Sequence, residues 1–321
     1  VEDLRDHRRA AAFRVPTIGP WSEDDVAFVW QRHELFHAAG IELAATLGVP
    51  SVVFVPAPLV WQARQWGVRR PGWSRWAETV GEARPLRRAD LVACGTDAVA
   101  EQVARLGVVE SRLVVTPTGA DPESRGEEER AAARAATRAR LGLDDAFVVG
   151  WVGSFRRFHA LDLAVAAVAE VPGAALFLVG DGPERRRVEA EAAARGVRTV
   201  TTGTVPHAEL PDVLAAMDAA VVVAATGQTF HYSPLKLAEY LAAGLPVVAP
   251  AIGEPGARIR DGEDGLLVAP GDPAALAAAL RRLRDDPALR VRLGTRAREV
   301  AAESWSWDRS AERVIAALGG R

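Results

Sequence analysis

The chain has 321 residues, 49 % of them hydrophobic, which is long for one ordinary core and suits two domains. Its net charge of -3 excludes a global basic field for nucleic acid, and its single cysteine excludes a disulfide framework or a cysteine-rich metal site. No stretch is apolar enough to span a bilayer and no signal peptide opens the chain, so it reads as cytoplasmic, with contact to a membrane surface left open.

The first residue is Val, so the chain reads as a fragment or as one whose start is missing. Residues 1–24 show no clear strand. Four short β-branched runs follow: "DVAFVWQ" (25–31), "PSVVFVPA" (50–57), "ADLVACG" (89–95) and "SRLVVTPTG" (111–119). Cys94, at the end of the third, reads as a buried thiol. Residues 123–145, "ESRGEEERAAARAATRARLGLDD", are strongly charged and read as a connection between domains.

A second series begins at Phe147: "AFVVGWVGS" (146–154), "AALFLVGDG" (174–182), "VRTVTTGTV" (197–205), "DAAVVVAAT" (218–226), "LPVVAPAIG" (245–253) and "GLLVAPGD" (265–272). Segments of helical period separate most of these runs. Continuous apolar strands alternating with helices predict parallel sheets buried on both faces, with ligands beyond the carboxyl ends of the strands. The predicted fold is α/β, with two Rossmann-like doubly wound domains facing a cleft. The first, incomplete, covers 1–122 plus a returning helix at 304–321; the second covers 146–303.

"VGSFRRFHALDLAVAAV" (152–168) joins a strand end to a helix start, with Arg156, Arg157 and His159 in the loop. Glycine admits a ligand close to the backbone and a helix start favours an anion, so the stretch suits a diphosphate; a plain turn with solvated arginines is the alternative. "LVGDGPERRRVEAEA" (178–192) contains GxG without the rest of a dinucleotide fingerprint and reads as a turn with Pro183 at helix position N1. In "GTVPHAELPDVLAAMDAAVVV" (203–223), the loop at 204–207 can present backbone to a nucleobase, while His207 reads as a surface residue.

"SPLKLAEYLAAGLPVVAP" (233–250) holds the only lysine among 39 basic residues. Ser233 is the expected N-cap, Pro234 N1 and Lys236 N3, which puts a cation at the wrong end of the helix dipole. The placement makes sense if an anion docks there; the alternative is an exposed lysine paired with Glu239 three residues on. A carboxylate at Glu239 can accept both hydroxyls of a ribose.

Together these runs, from "WVGSFRRFHALDLAV" to "IGEPGARIRDGEDGLLVAPGDPAALAAAL", resemble the nucleotide-sugar-binding domain of glycosyltransferase family 4, retaining enzymes of the GT-B fold. The likeness covers about 147–303. "RADLVACGTDAVAEQVARLGVVESRLVVTPTGADPE" (88–123) resembles the end of the family's acceptor domain, and the final Trp-containing helix resembles the segment that crosses back onto it. The family's first strand and its glycine-rich loop are not found here, so the N-terminal third has been removed or left out, or the protein is a reduced one.

The resemblance implies that Glu239 is the second acid of an E-x7-E motif and holds the ribose, with His231 where the first acid belongs. Ser154 and His159 occupy the positions of the family's diphosphate-gripping Arg and Lys. Lys236, Arg156 and Arg157 then supply the missing charge, and Lys236, Arg156 and His231 form the expected catalytic set. The diphosphate also meets Gly153, Ser154, Phe155, Arg157, His159, Ser233 and Leu235, and the base meets Thr204, Val205 and Leu210. His33, Glu34 and His37 are weak candidates on the acceptor side.

The implied activity is transfer from a UDP- or GDP-sugar to a hydroxyl, with no metal or other cofactor. A sugar-nucleotide epimerase and a degenerate nucleotide-sugar-binding protein stay open beside it.

Overall fold

The structure is a computed structural model that describes residues 25–68, 70, 72–230 and 233–320, together with His7 and Ala10. Residues 1–24, read above as showing no clear strand, fall outside the described residues apart from those two positions. Contacts divide the chain into two compact units, 1–118 with 231–233 and 308–321, and 119–230 with 234–307.

In the first unit, the strands β1 (Val29–Arg32), β2 (Ser51–Val55), β3 (Leu91–Cys94) and β4 (Leu113–Val115) pair in parallel in that order. They are the four β-branched runs of the sequence. Helices α1 (Ala39–Leu47), α2 (Leu59–Gln65) and α3 (Asp97–Arg105) connect them, and residues 74–88 are helical, with a π-helix at Ala77–Ala83. Register is pinned at the strand starts, where Ser51 donates to Asp90 from both its amide and its hydroxyl, at 2.9 and 2.7 Å. Cys94 is buried, and burial pushes its thiol up to about 12, which leaves it inert at neutral pH.

The second unit holds β5 (Phe147–Val152), β6 (Ala174–Val179), β7 (Arg198–Thr201), β8 (Ala219–Val221), β9 (Val247–Pro250) and β10 (Leu266–Val268). All pairs are parallel, in the order β10-β9-β8-β5-β6-β7. The chain therefore starts in the middle of the sheet, runs outward to β7 and returns to β8 beside β5. Open α/β sheets bind ligands at such a switch point, outside the carboxyl ends of the strands.

The helices are α4 (Glu127–Leu141), α5 (Leu161–Ala169), α6 (Arg185–Ala194), α7 (Leu210–Ala215), α8 (Leu235–Ala242), α9 (Gly253–Arg258), α10 (Pro273–Asp285) and α11 (Pro287–Ser304). Helix α12 (Trp307–Gly319) packs Val314 against Val52, Leu91 and Ala93 of the first unit's sheet.

The charged stretch read as a connection is helix α4 of the second unit. Arg134 and Arg138 both pair with Asp218, whose carboxylate also accepts from the Val148 amide at 2.7 Å. This ties α4 to the starts of β5 and β8. Charge density alone suggests solvent; here opposite charges on distant segments satisfy one another, and Arg138 is buried.

Candidate functional site

The loop after β5 and the start of α8, which follows β8, meet at the switch point. The Val152 amide donates to the buried Tyr240 hydroxyl at 2.7 Å, fixing α8 against the end of β5. The Lys236 ammonium then lies over the Trp151 ring, 4.0 Å from its centroid. Gly153, at φ 153°, leaves room for it: a Cβ there would stand 2.8 Å from Lys236 Nζ.

Two helix starts differ from expectation. Pro234, not Ser233, is the N-cap of α8, so Lys236 stands at N2, still in the first turn. The Ser233 hydroxyl is engaged with Thr118 Oγ1 at 2.7 Å and accepts from the Thr118 amide at 3.3 Å, which removes it from capping. Pro183 lies before α6 rather than at N1, because the Glu184 amide is held by the Phe155 carbonyl at 3.0 Å.

The VGDG turn is structural, as its sequence suggested. Gly180, at φ 124°, packs so closely on the β5 loop that a Cβ would come within 2.0 Å of the Gly153 carbonyl oxygen. The same packing changes the diphosphate loop. The Gly153 amide donates to Val179 at 2.9 Å and the Phe155 amide to Asp181 at 3.0 Å, so neither faces a phosphate. Ser154, Arg156 and Arg157 are exposed.

His159 is buried, its ring edge-on to Trp151 at 5.2 Å between centroids. Burial, reinforced by the Lys236 charge, pushes it down to about 3, so it is neutral at physiological pH and adds no cation. Burial also draws Lys236 down to about 7. Among the described residues no carboxylate pairs with Lys236, and the alternative pairing with Glu239 is not formed. A cation–π contact with Trp151, worth about 0.5–2 kcal/mol, compensates in part. Of the first-turn amides of α8, that of Leu237 donates to the Pro234 carbonyl at 2.9 Å, which leaves those of Leu235 and Lys236 ahead of the first helical acceptor. A half-buried cation in the first turn of a helix favours an anion there.

Glu239, one turn along α8, faces a cavity of about 420 Å³ lined also by Asp121, Arg125, His207, Leu210 and Asp212. Burial raises its pKa most strongly; the nearby His207 opposes the rise and Asp121 adds to it. No described side chain is hydrogen-bonded to its carboxylate. Of the expected base-loop residues, Leu210 lines this cavity and Thr204 and Val205 do not. The wall formed by 121–125 escaped the sequence reading; "TGADPE", with its paired acids after a strand, was the available signal. Arg125 secures that wall through Glu123, at 2.8 Å, and Asp212.

His231 lies outside the described residues. In the first unit, His33 is buried against Glu82 at 2.9 Å, and Glu82 also accepts from the Leu59 and Val60 amides at the start of α2. That engagement makes His33 structural. Glu34 is exposed and His37 half-buried.

Residues 146–286 match the model of the family described as "Glycosyl transferases group 1". A D-inositol 3-phosphate glycosyltransferase 1 of Catenulispora acidiphila is 31 % identical over 312 residues, covering 91 % of this chain and 72 % of that protein. The chain belongs to the group 1 glycosyl transferases. The D-inositol 3-phosphate glycosyltransferase of Stackebrandtia nassauensis is 33 % identical over 261 residues, 76 % of this chain and 57 % of its own length. This group 1 chain thus spans little more than half of several curated relatives. The crystal structure of Anabaena Alr3699/HepE in complex with UDP superposes with a TM-score of 0.72 at 20 % identity, covering 88 % of this chain and 76 % of that one. That likeness concerns the fold, which is GT-B.

Proposed function

We propose that the protein is a retaining glycosyltransferase whose donor is a nucleoside-diphosphate sugar. The observation that carries this is the Lys236 ammonium, half-buried over Trp151 and with no carboxylate partner among the described residues, at the switch point of the second unit's sheet. The diphosphate lies against Lys236 and the start of α8, with Arg156 and Arg157 approaching from the β5 loop. The ribose hydroxyls meet Glu239, and the base enters the adjoining cavity beside Leu210.

As the bond to the anomeric carbon breaks, negative charge grows on the leaving phosphate. Fixed cations and amides aimed at that charge lower the barrier. The acceptor hydroxyl attacks from the face the diphosphate leaves, and the departing phosphate helps to take its proton. Charge neutralisation rests on Lys236, the arginines and the helix start; a metal is not part of this reading, so chelation leaves the rate unchanged.

A donor screen by thermal shift tests the assignment. A matching UDP-, GDP- or dTDP-sugar stabilises the protein by about 2.7 kcal/mol at a hundredfold excess over Kd. Stabilisation by none of them overturns it. The epimerase alternative is not favoured by relatives that are themselves glycosyltransferases. A degenerate binding protein stays in view for one reason: His159 is neutral where the family resemblance expects a cation. Donor binding with neither transfer nor hydrolysis would identify it.

The lone lysine offers a direct pH test. With [ε-13C]lysine the protein gives one labelled resonance, whose midpoint is expected near 7. A bound diphosphate favours the charged form and raises that midpoint. Binding therefore takes up a proton, and affinity for the nucleotide falls as pH rises through and above 7. A free-protein midpoint near that of an ordinary lysine counts against the burial of this ammonium.

A further inference from the structure

A second cavity of the second unit has no place in the donor reading. It measures about 360 Å³ and lies between α4, α7 and α11. Met217 and Asp218, just before β8, and Leu245 and Pro246, just before β9, line it. It is therefore at the amino ends of these strands, whereas Lys236 stands at the carboxyl end of β5. It shares Glu123, Pro211 and Ala243 with the cavity beside Glu239, but none of its arginines lines that one.

Arg130, Arg134 and Arg290 converge on this second cavity, and Arg298 lies against its Ala243–Gly244 wall. Arg134 is engaged with Asp218, which it shares with Arg138. The others differ: among the described residues no carboxylate pairs with Arg130, Arg290 or Arg298. Arg290 donates to the Leu283 and Arg284 carbonyls at 2.6 and 3.0 Å. Arg298 Nη2 reaches the Ala243 carbonyl at 3.4 Å, and its buried Nε has no hydrogen-bond partner among the described residues. No described group accepts from the Arg130 guanidinium. Burial, and then the charge of Arg130, lowers the pKa of Arg298, with Glu123 and Glu127 opposing. Of these acids, Glu123 is held by Arg125 at 2.8 Å and Glu127 is exposed.

Like charges gathered in a half-buried recess without counter-charge repel, and a bound anion relieves them. Guanidinium groups favour oxyanions that they can grip with two N–H bonds, phosphate above all. The recess is larger than a bare phosphate needs, and Ala131, Ala215 and Val291 add carbon to its wall. Nucleic acid, by contrast, calls for a stripe of cations along a surface.

We propose that this cavity binds a small phosphate monoester, its phosphoryl group on Arg130 in the field of Arg290 and Arg298. The proposal does not rest on the donor assignment, since none of these residues is in that site.

Met217 is the only methionine and part of the cavity wall, so its 13C-labelled methyl resonance is the readout. Glucose 6-phosphate and glycerol 3-phosphate, titrated into the full chain, are expected to shift it saturably, while glucose and glycerol do not. Inorganic phosphate binds more weakly than either ester. Arg130→Gln raises the apparent Kd about tenfold, and Arg130→Lys retains most of the affinity. Lys236→Ala leaves the titration unchanged, which separates this cavity from a phosphate held at α8. Melting curves of both Arg130 variants stay near wild type. No shift with either ester, an equal shift with the neutral compounds, or wild-type affinity in Arg130→Gln overturns the proposal. So does inorganic phosphate binding as tightly as the esters, or loss of the response in Lys236→Ala.

Discussion

Replacing Lys236 with Ala lowers kcat/KM for transfer by about two to three orders of magnitude, or ~3–4 kcal/mol, while the protein stays folded. The size follows from where the ammonium sits. It is held over Trp151 and beside Gly153, with no carboxylate among the described residues to share its charge, so it meets the leaving phosphate undiluted as that charge grows. Lys236→Arg recovers only part of the rate. A planar guanidinium is larger, and the ammonium occupies a place where even a Cβ on Gly153 would intrude.

Stability moves the other way. Burial depresses the folded-state pKa of Lys236 to about 7, so between that value and the ordinary lysine range the unfolded chain binds more protons than the folded one. The lysine's penalty is fully present below pH 7 and fades as pH rises. Lys236→Ala therefore melts at or above the wild-type temperature at pH 6, and the gain shrinks toward pH 10. Transfer rates and melting curves measured side by side decide the matter. Wild-type rates in Lys236→Ala would reduce the lysine to a chance survivor among 38 arginines.

Much of this architecture was legible because its strands are continuous β-branched runs, which have few other ways to be buried. Nine of the ten described strands lie within the ten such segments, and β1 runs one residue past the first. Lys236 was legible for two reasons: it is the only lysine, and it stands against the helix dipole. What surrounds it was not. Trp151 belongs to a buried strand and reads as core, yet its ring is the contact that holds the cation. His159 looks like a titrating group, but ring packing and the neighbouring ammonium keep it neutral.

Local pattern also misplaced Ser233, whose capping hydroxyl is taken by Thr118, 115 residues away. The amides of Gly153 and Phe155 seemed free only because the VGDG turn that receives them lies nearly thirty residues on. The charged segment 123–145 read as a connection because Asp218, which answers its arginines, is some eighty residues distant. In each case a short-range rule lost to a partner that only the tertiary structure brings near.

Glu239→Ala weakens nucleotide binding by about 2–3 kcal/mol, the worth of a carboxylate accepting from two hydroxyls. The carboxylate is half-buried at the edge of the 420 Å³ cavity and has no hydrogen-bonding side chain among the described residues, so a ligand donor would relieve it. Burial raises its pKa; ribose hydroxyls bind the ionised form and pull it back down. Binding therefore releases protons in the acid range, and affinity falls as pH drops into that range, opposite to the trend set by Lys236 above neutrality. Glu239→Gln keeps one acceptor oxygen and loses less than the Ala variant. Calorimetry with the ribonucleotide and its 2′-deoxy counterpart reads the assignment directly. The wild type prefers the ribonucleotide, and the preference disappears in Glu239→Ala. Equal affinity of the wild type for both nucleotides would remove the ribose from Glu239 and leave the phosphate site at Lys236 standing on its own.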